Sequence, residues 1–490
     1  MSDQPPPRFS PAETRSIVFG LMLIILLGAL DQTIVSVSLP QMTRDLGSVS
    51  LLAWVVSGYL VASTVATPVY GKLGDLYGRR LLLSVAVSIF LIASVACALA
   101  HSMTFLVLAR VLQGIGGGGL ISTSQAIIGD VVPLRERGRY QGYISVVYAV
   151  ASVGGPVLGG YLTHLLSWRW IFWINLPLGA VALWVARRAL TRLPVPGVKR
   201  PIDYLGALLL TTGLSLLLVA ITRAGQGVAL SWPGTPGLLI TAIALLALFI
   251  WHENRTEEPL IPPAIFKIRT VWIGCVILFI SFSQVISLSV LVPFGMQTLD
   301  GVRPDQAALQ LIAFTLAVPF GAFVSGNLMA RSGRYKPLQL IGTALLPLSI
   351  LWLAYLGPHA SLATSMALAC AGIATGMTMP TSLVAVQNAV VQKDIGIATA
   401  MTALSRSMGG AIGVAVLSAI LFGFMHGGHG ASALEGGEAT RSIWRASDAV
   451  AAFRITFICG ALMTATAHVL AWFIPEASLR ATAGIAEKIA

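Results

Sequence analysis

Long apolar runs alternate with short polar turns along almost the whole chain. Fourteen such runs fall near residues 17–39, 51–70, 81–100, 103–127, 140–163, 170–188, 204–222, 236–252, 271–296, 306–330, 338–356, 361–388, 397–425 and 452–474. A helix needs about 20 apolar residues to cross the hydrocarbon core of a bilayer, and Gly or Pro marks many of the turns between these runs. The pattern predicts an all-α membrane protein with fourteen spanning helices. An even number puts both ends of the chain on one side. With the N-terminus inside, 22 of the 31 basic residues fall in cytosolic segments and seven outside, leaving Arg110 and Arg406 within spans. Basic residues concentrate on the cytoplasmic side of membrane proteins, so cytoplasmic termini in a multi-pass plasma (inner) membrane protein are expected.

Composition agrees. Of 490 residues, 56% are hydrophobic and only 10% are charged, against about 25% in soluble domains. The net charge of +12 is accounted for by orientation and gives no nucleic-acid footprint. The first 15 residues are polar and Pro-rich, and the apolar run after them has no small-residue cleavage site, so no cleaved leader is expected. The four cysteines lie in separate apolar runs without paired spacing, which predicts neither a disulfide nor a metal site. His426 and His429, in a Gly-rich outer segment at 426–451, have no third ligand at a suitable spacing and are read as solvated loop.

Charge inside the apolar runs carries the candidate chemistry. Asp31 interrupts the first run. A carboxylate there costs roughly 2.5–3.5 kcal/mol even on the lenient insertion scale, which points to binding of a proton or cation. Asp31 lies about 21 Å into an outward-running helix, and Arg110 about 10 Å into an inward-running one, at 1.5 Å per residue. In a core about 30 Å thick the two reach one depth, to meet or to share a water-filled cavity. Burial raises a carboxyl pKa and a nearby arginine lowers it, so a change in solvent access switches its charge. Coupling of this kind requires an aqueous route from Asp31 to at least one face. Arg406 sits about ten residues into span 13, placed either to hold an anionic group or to act structurally.

The chain also repeats itself at an offset of 255. GKLGDLYGRR at 71–80 maps onto GNLMARSGRY at 326–335, with Ala330 in place of Asp75, and Gly154 and Gly155 map onto Gly409 and Gly410. Two six-helix units follow, with spans 7 and 8 inserted between them. Such halves are a common construction of secondary transporters.

Four segments resemble the major facilitator superfamily, in particular its 14-helix drug:proton antiporters of the EmrB/QacA type. They are LDQTIVSVSLP at 30–40, GKLGDLYGRR at 71–80, LARVLQGIGGGG at 108–119 and GGPVLGG at 154–160. The resemblance implies the major facilitator fold: an N-terminal six-helix bundle at 1–190, a linker with two additional helices at 191–262, and a C-terminal six-helix bundle at 263–490. It assigns proton coupling to Asp31 and Arg110. It assigns a cytoplasmic gate to Gly71, Asp75, Gly78, Arg79, Arg80 and Asp130, and the antiporter helix motif to Gly154, Gly155, Pro156, Gly159 and Gly160. Those glycines offer small surfaces for tight helix contact, suited to a rocking interface between the halves, and Pro156 is expected to bend the helix. Candidates for the cavity wall are Gln32, Trp54, Tyr59, Gln113, Gln284, Gln297, Gln387, Asn388 and Arg406. Some relatives that carry divalent cations have an acid in the tenth helix. None is present in QAALQLIAFTLAVPFGAFVSG at 306–326, so a dication is a poor fit to the cavity.

The function expected is a proton-coupled antiporter that exports hydrophobic drugs or related small molecules by alternating access. The alternative is a major facilitator exporter dedicated to one physiological substrate, such as a lipid, a siderophore or a natural product. No cofactor is expected, the proton gradient being the drive. The partners are a lipophilic small molecule, protons and the bilayer, with a periplasmic adaptor as a further candidate and no nucleic acid. No GxSxG or metal-ligand cluster supports an enzyme.

Overall fold

A computed structural model describes residues 10–48, 51–189, 203–225, 234–256, 258–359, 361–391, 394–425 and 446–477. His426, His429 and most of the expected linker before residue 203 lie outside them. Helix α1 (Pro11–Leu46) begins at a capping box. Ser10 Oγ accepts the Glu13 N–H, Glu13 Oε2 accepts the Ser10 N–H at 2.9 Å, and Pro11 occupies the first turn, where no N–H is needed. Helices α2 (Leu52–Tyr77), α3 (Arg79–Ala98), α4 (Met103–Val131) and α5 (Leu134–Leu165) follow, then a short α6 (Trp170–Trp173) leading into α7 (Asn175–Ala189). Helices α8 (Tyr204–Gly225) and α9 (Thr235–Glu253) form a pair. After the short α10 (Pro263–Lys267) come α11 (Arg269–Leu299), α12 (Pro304–Ser332), α13 (Lys336–Leu356), α14 (Leu362–Ala389), α15 (Ile395–Met425) and α16 (Ala446–Trp472). Helix occupies all fourteen expected positions. Among the described residues, twelve helices are long and apolar enough to cross a membrane, and the fold is all-α.

Helices α1 to α7 pack about one core, with Leu21, Phe90 and Leu120 fully buried. Helices α11 to α16 pack about another, around Leu346, Ala371 and Phe453. Between these bundles, α8 and α9 pack on one another, and α8 leans on α2 and α15. The repeat seen in the sequence is present in the backbone. Gly78 and Gly333, equivalent at the 255 offset, both adopt positive φ, 91° and 69°, where the chain turns from one long helix into the next. Glycine alone enters that region without a Cβ penalty.

The glycine run of α4 positions the site. A Cβ at Gly116 would come within 2.7 Å of Phe90 N on α3, and one at Gly118 would overlap Ser63 of α2. Both neighbours therefore close onto α4, and the polar side chains one turn away, Arg110 and Gln113, become enclosed.

Candidate functional site

Asp31 and Arg110 meet. Arg110 Nη1 donates to Asp31 Oδ2 at 2.6 Å, across α4 and α1. Gln113, one turn along from Arg110, donates to Asp31 Oδ1 at 2.8 Å, and Asn175 at the start of α7 donates to the same oxygen at 3.0 Å. The guanidinium is itself held by Val55 O at 3.1 Å and Gln113 Oε1 at 2.7 Å, and its face lies 4.3 Å from the centroid of the Tyr59 ring. Asp31 accepts from three donors, which is the pattern of an ionised carboxylate. Its exposure is 0% and that of Arg110 is 1%. Of the two arrangements expected, direct contact is the one present, and the aqueous route from Asp31 to a face that coupling was expected to require is not open in this conformation. The reason is the number of polar partners: α4 supplies Arg110 and Gln113 and α7 supplies Asn175, and Ser94 of α3 accepts from both Gln113 and Asn175. Asn175 and Ser94 were not singled out in the sequence, although each is a polar residue in an otherwise apolar run.

A second polar cluster joins the two bundles. Asp75 Oδ1 accepts from Arg79 Nη2 at 2.9 Å, and Arg79 Nη1 reaches Asp130 Oδ2 at 2.6 Å as well as Ala126 O. The other Asp75 oxygen accepts the N–H of Ile397 at 3.1 Å. Ile397 lies in the first turn of α15, whose N–H groups have no partner within the helix and whose dipole favours an acid. Asp75 thus caps a helix of the opposite bundle. Close backbone contact makes this reach available, since a Cβ at Gly71 would lie 2.7 Å from Ala400 Cβ. Arg137 of α5 adds a second link. It binds Val132 O, Gly129 O and, at 3.1 Å, Gln387 Oε1 of α14, and Gln387 in turn donates to Thr399. Of the predicted gate residues, Gly71, Asp75, Arg79 and Asp130 are in the cluster. Gly78 serves the turn. Arg80 is exposed and forms no ion pair among the described residues. Arg137 and Gln387 belong to the cluster too, the latter having been assigned to the cavity wall.

The α5 motif behaves differently from expectation. Gly155 and Gly159 admit α1 of the same bundle, and a Cβ at Gly159 would lie 2.6 Å from Ile34 O. Gly154 faces open space, and Gly160 makes only ordinary contact with Val37. The α5 helix runs unbroken through Pro156. Contact with the opposite bundle comes from the other end of α5, where Gly138 meets Gly326 and Gly142 meets Phe323 of α12. On α5, Gly155 and Gly159 of the motif therefore hold one bundle together, and Gly138 and Gly142 make the contact with the other.

A narrow pocket lies between the bundles. Gln125 of α4, Gln141, Ile144, Ser145 and Tyr148 of α5, Leu278 of α11, Met379, Pro380 and Leu383 of α14, and Thr402 and Arg406 of α15 line it. Of the cavity candidates only Arg406 is there. Gln113 and Tyr59 belong to the Asp31 cluster. Gln32 and Trp54 are half-buried on α1 and α2, Gln284 and Asn388 are buried elsewhere, and Gln297 is exposed near the end of α11. Gln141, Ser145 and Tyr148 follow one another at i, i+4 and i+7, a polar stripe on one helix face that was readable in the sequence.

Residues 21–414 match the profile of the Major Facilitator Superfamily. An uncharacterized MFS-type transporter of Mycobacterium tuberculosis is 35% identical over 424 residues, which is 86% of this chain and 61% of that protein. The chain thus spans about three-fifths of that relative's length. Multidrug transporter protein MdtP of Bacillus subtilis is 32% identical over 412 residues, 83% of this chain and 75% of that one. Among solved structures, that of the human organic anion transporter MFSD10 superposes with a TM-score of 0.65 over 94% of this chain and 100% of the other. Its 17% identity speaks to the fold alone. Profile, relatives and bundle architecture agree: the chain is an integral multi-pass membrane protein of the Major Facilitator Superfamily, a family of transporters and not of enzymes.

Proposed function

We propose that this protein is a proton-coupled antiporter that exports lipophilic small molecules from the cytosol by alternating access, through fourteen spanning helices with both termini cytoplasmic in the plasma membrane. The match to a multidrug transporter protein supports efflux as the direction. The Asp75–Arg79–Asp130 cluster supports alternating access. Its ion pairs lie within the first bundle and hold Asp75 where it accepts the Ile397 N–H of the second, at the end rich in basic residues, and that link between bundles can break and re-form. In this conformation the cytosolic end is closed.

The observation that carries the coupling is the Asp31–Arg110 pair inside the first bundle. Asp31 is enclosed among three donors, the bonding that suits a charged carboxylate. Protonation would cancel the ion pair and leave Arg110 without its counter-charge, so the protonated form belongs to a second conformation in which the pair opens to water. Cargo and proton then exclude one another through the conformation. Direct competition for the carboxylate is disfavoured, since Asp31 does not line the cavity. In proteoliposomes, an imposed pH gradient should drive uptake of a lipophilic dye by the wild type and leave Asp31→Asn at the background rate, with binding of the dye unchanged. Gradient-driven uptake by the variant would overturn the reading.

The complete enclosure of Asp31 favours a second reading, in which the pair is a structural staple joining α1, α4 and α7. Under that reading Asp31→Asn lowers folding stability and all transport modes together. The cargo is either a range of drugs or one dedicated metabolite, which a resistance profile in an efflux-deficient host separates.

A further inference from the structure

Arg406 is the charge that the coupling scheme leaves unused. It lies eleven residues from the start of α15, about 16 Å along the axis, deep in the protein, with part of its side chain free toward the cavity. It forms no ion pair and no side-chain hydrogen bond among the described residues. The Phe282 ring lies 5.4 Å from the guanidinium carbon, and the Tyr148 phenol shares the cavity lining with it. No carboxylate lines the cavity. Across the same space, Gln125 is 1% exposed and its Oε1 has no hydrogen-bond partner.

A guanidinium taken out of water needs an opposite charge and filled hydrogen bonds, and its planar fork fits a carboxylate with two parallel bonds. A buried acceptor without a partner is a separate cost. Both deficits face one cavity, and one ligand can remove both. We propose that the cavity takes a lipophilic organic anion. Its carboxylate pairs with Arg406, a hydroxyl or N–H on the same molecule donates to Gln125, and its apolar body lies against Leu278, Met379 and Leu383. This rests on the reading of the chain as a small-molecule exporter and narrows its cargo to acids.

The test compares three probes with one apolar body: 1-pyrenebutyrate, 1-pyrenebutanol and a pyrenebutyl-trimethylammonium salt. Binding to the full chain in lipid nanodiscs is measured with no gradient present. The wild type should bind the carboxylate at least about tenfold more tightly than the alcohol, the factor that corresponds to one charge-assisted hydrogen bond, and should bind the ammonium most weakly. Arg406→Gln should erase the preference for the carboxylate and leave the alcohol within about twofold, and Arg406→Lys should restore part of it. Equal binding of the three probes by the wild type, preference for the ammonium, or no binding of the carboxylate would overturn the proposal. The wild-type comparison stands whatever the variants do to folding. Because no gradient is used, failure here leaves proton coupling untouched, and failure of gradient-driven uptake leaves this site untouched.

Discussion

The two bundles descend from one repeated unit and carry their membrane charge in opposite ways. In the first, Asp31 and Arg110 are bonded to each other and to three helices. At the 255-residue offset their counterparts in the second are Ile286 and Ser365, so no equivalent pair exists there. The second bundle instead places Arg406 on the cavity, at the position of Ala151 in the first. An arginine supplied with a carboxylate by its own bundle is locked in place. One without such a partner is left for whatever enters between the bundles. The same asymmetry recurs at the turn between paired helices, where Asp75 of the first copy caps α15 of the second bundle and the second copy has Ala330, with no side-chain acceptor to offer in return. Symmetric backbones thus carry an asymmetric division of charge: the buried ion pair and the acid that caps α15 in one half, the cavity arginine in the other.

The largest effect should come from breaking the locked pair from the arginine side. Arg110→Ala leaves an ionised carboxylate buried at 0% exposure. Removing one partner of a buried pair costs about 3–5 kcal/mol, so thermal unfolding of the solubilised protein should occur at a clearly lower temperature. Adding Asp31→Ala should recover part of that loss, as contacting residues are non-additive. An unchanged transition in Arg110→Ala would mean that the pair is not formed in the membrane.

Arg79→Ala should act more narrowly. It removes the arginine that ties Asp75 to Asp130 and holds Asp75 on the Ile397 N–H of the second bundle; loss of that one cross-bundle charge-assisted bond, about 1.5–3 kcal/mol, is roughly a ten- to hundredfold shift in the ratio of closed to open cytosolic end. Spin labels at the exposed positions 80 and 332 should report a longer separation, and transport should fall severalfold with cargo affinity within about twofold. An unchanged separation with unchanged transport would remove the latch.

The smallest effect is expected at Gln284, in the second bundle. It is buried, away from the cavity, and its Nε2 has no hydrogen-bond partner among the described residues. Gln284→Leu should change stability by less than about 1 kcal/mol, since an unsatisfied amide is replaced by an apolar group, and should leave cargo binding intact. Loss of binding would place the cavity wall on α11 at that position and weaken the contrast between the halves.

The sequence revealed what depends on helical rise and motif. Asp31 and Arg110 could be matched in depth because each residue advances a helix by a fixed 1.5 Å, and the 71–80 segment marked a turn between bundle helices. Contacts that depend on how helices sit side by side were not legible. Nothing in the linear pattern says that α5 crosses to α12 at Gly138 and Gly142, or that Gln387 meets Arg137 across the interface. The cavity wall was misread for the same reason. Polar residues in apolar runs were taken as cavity wall, but whether a buried amide serves a neighbouring carboxylate, as Gln113 does, or a cavity, as Gln125 does, is decided by rotation about the helix axis. The stripe of Gln141, Ser145 and Tyr148 carried that rotational information.

The central claim is that Asp31 carries the transported proton, and cargo exchange measured with and without a pH gradient tests it most directly. In proteoliposomes, Asp31→Asn, which like protonation leaves Arg110 without its counter-charge, should still exchange labelled for unlabelled cargo while showing no acceleration by a gradient, because the bundles still rock and the proton has no seat. Gradient-driven accumulation at the wild-type level would contradict the account outright. Loss of exchange together with loss of gradient response would do so too, leaving Asp31 as a staple of the first bundle.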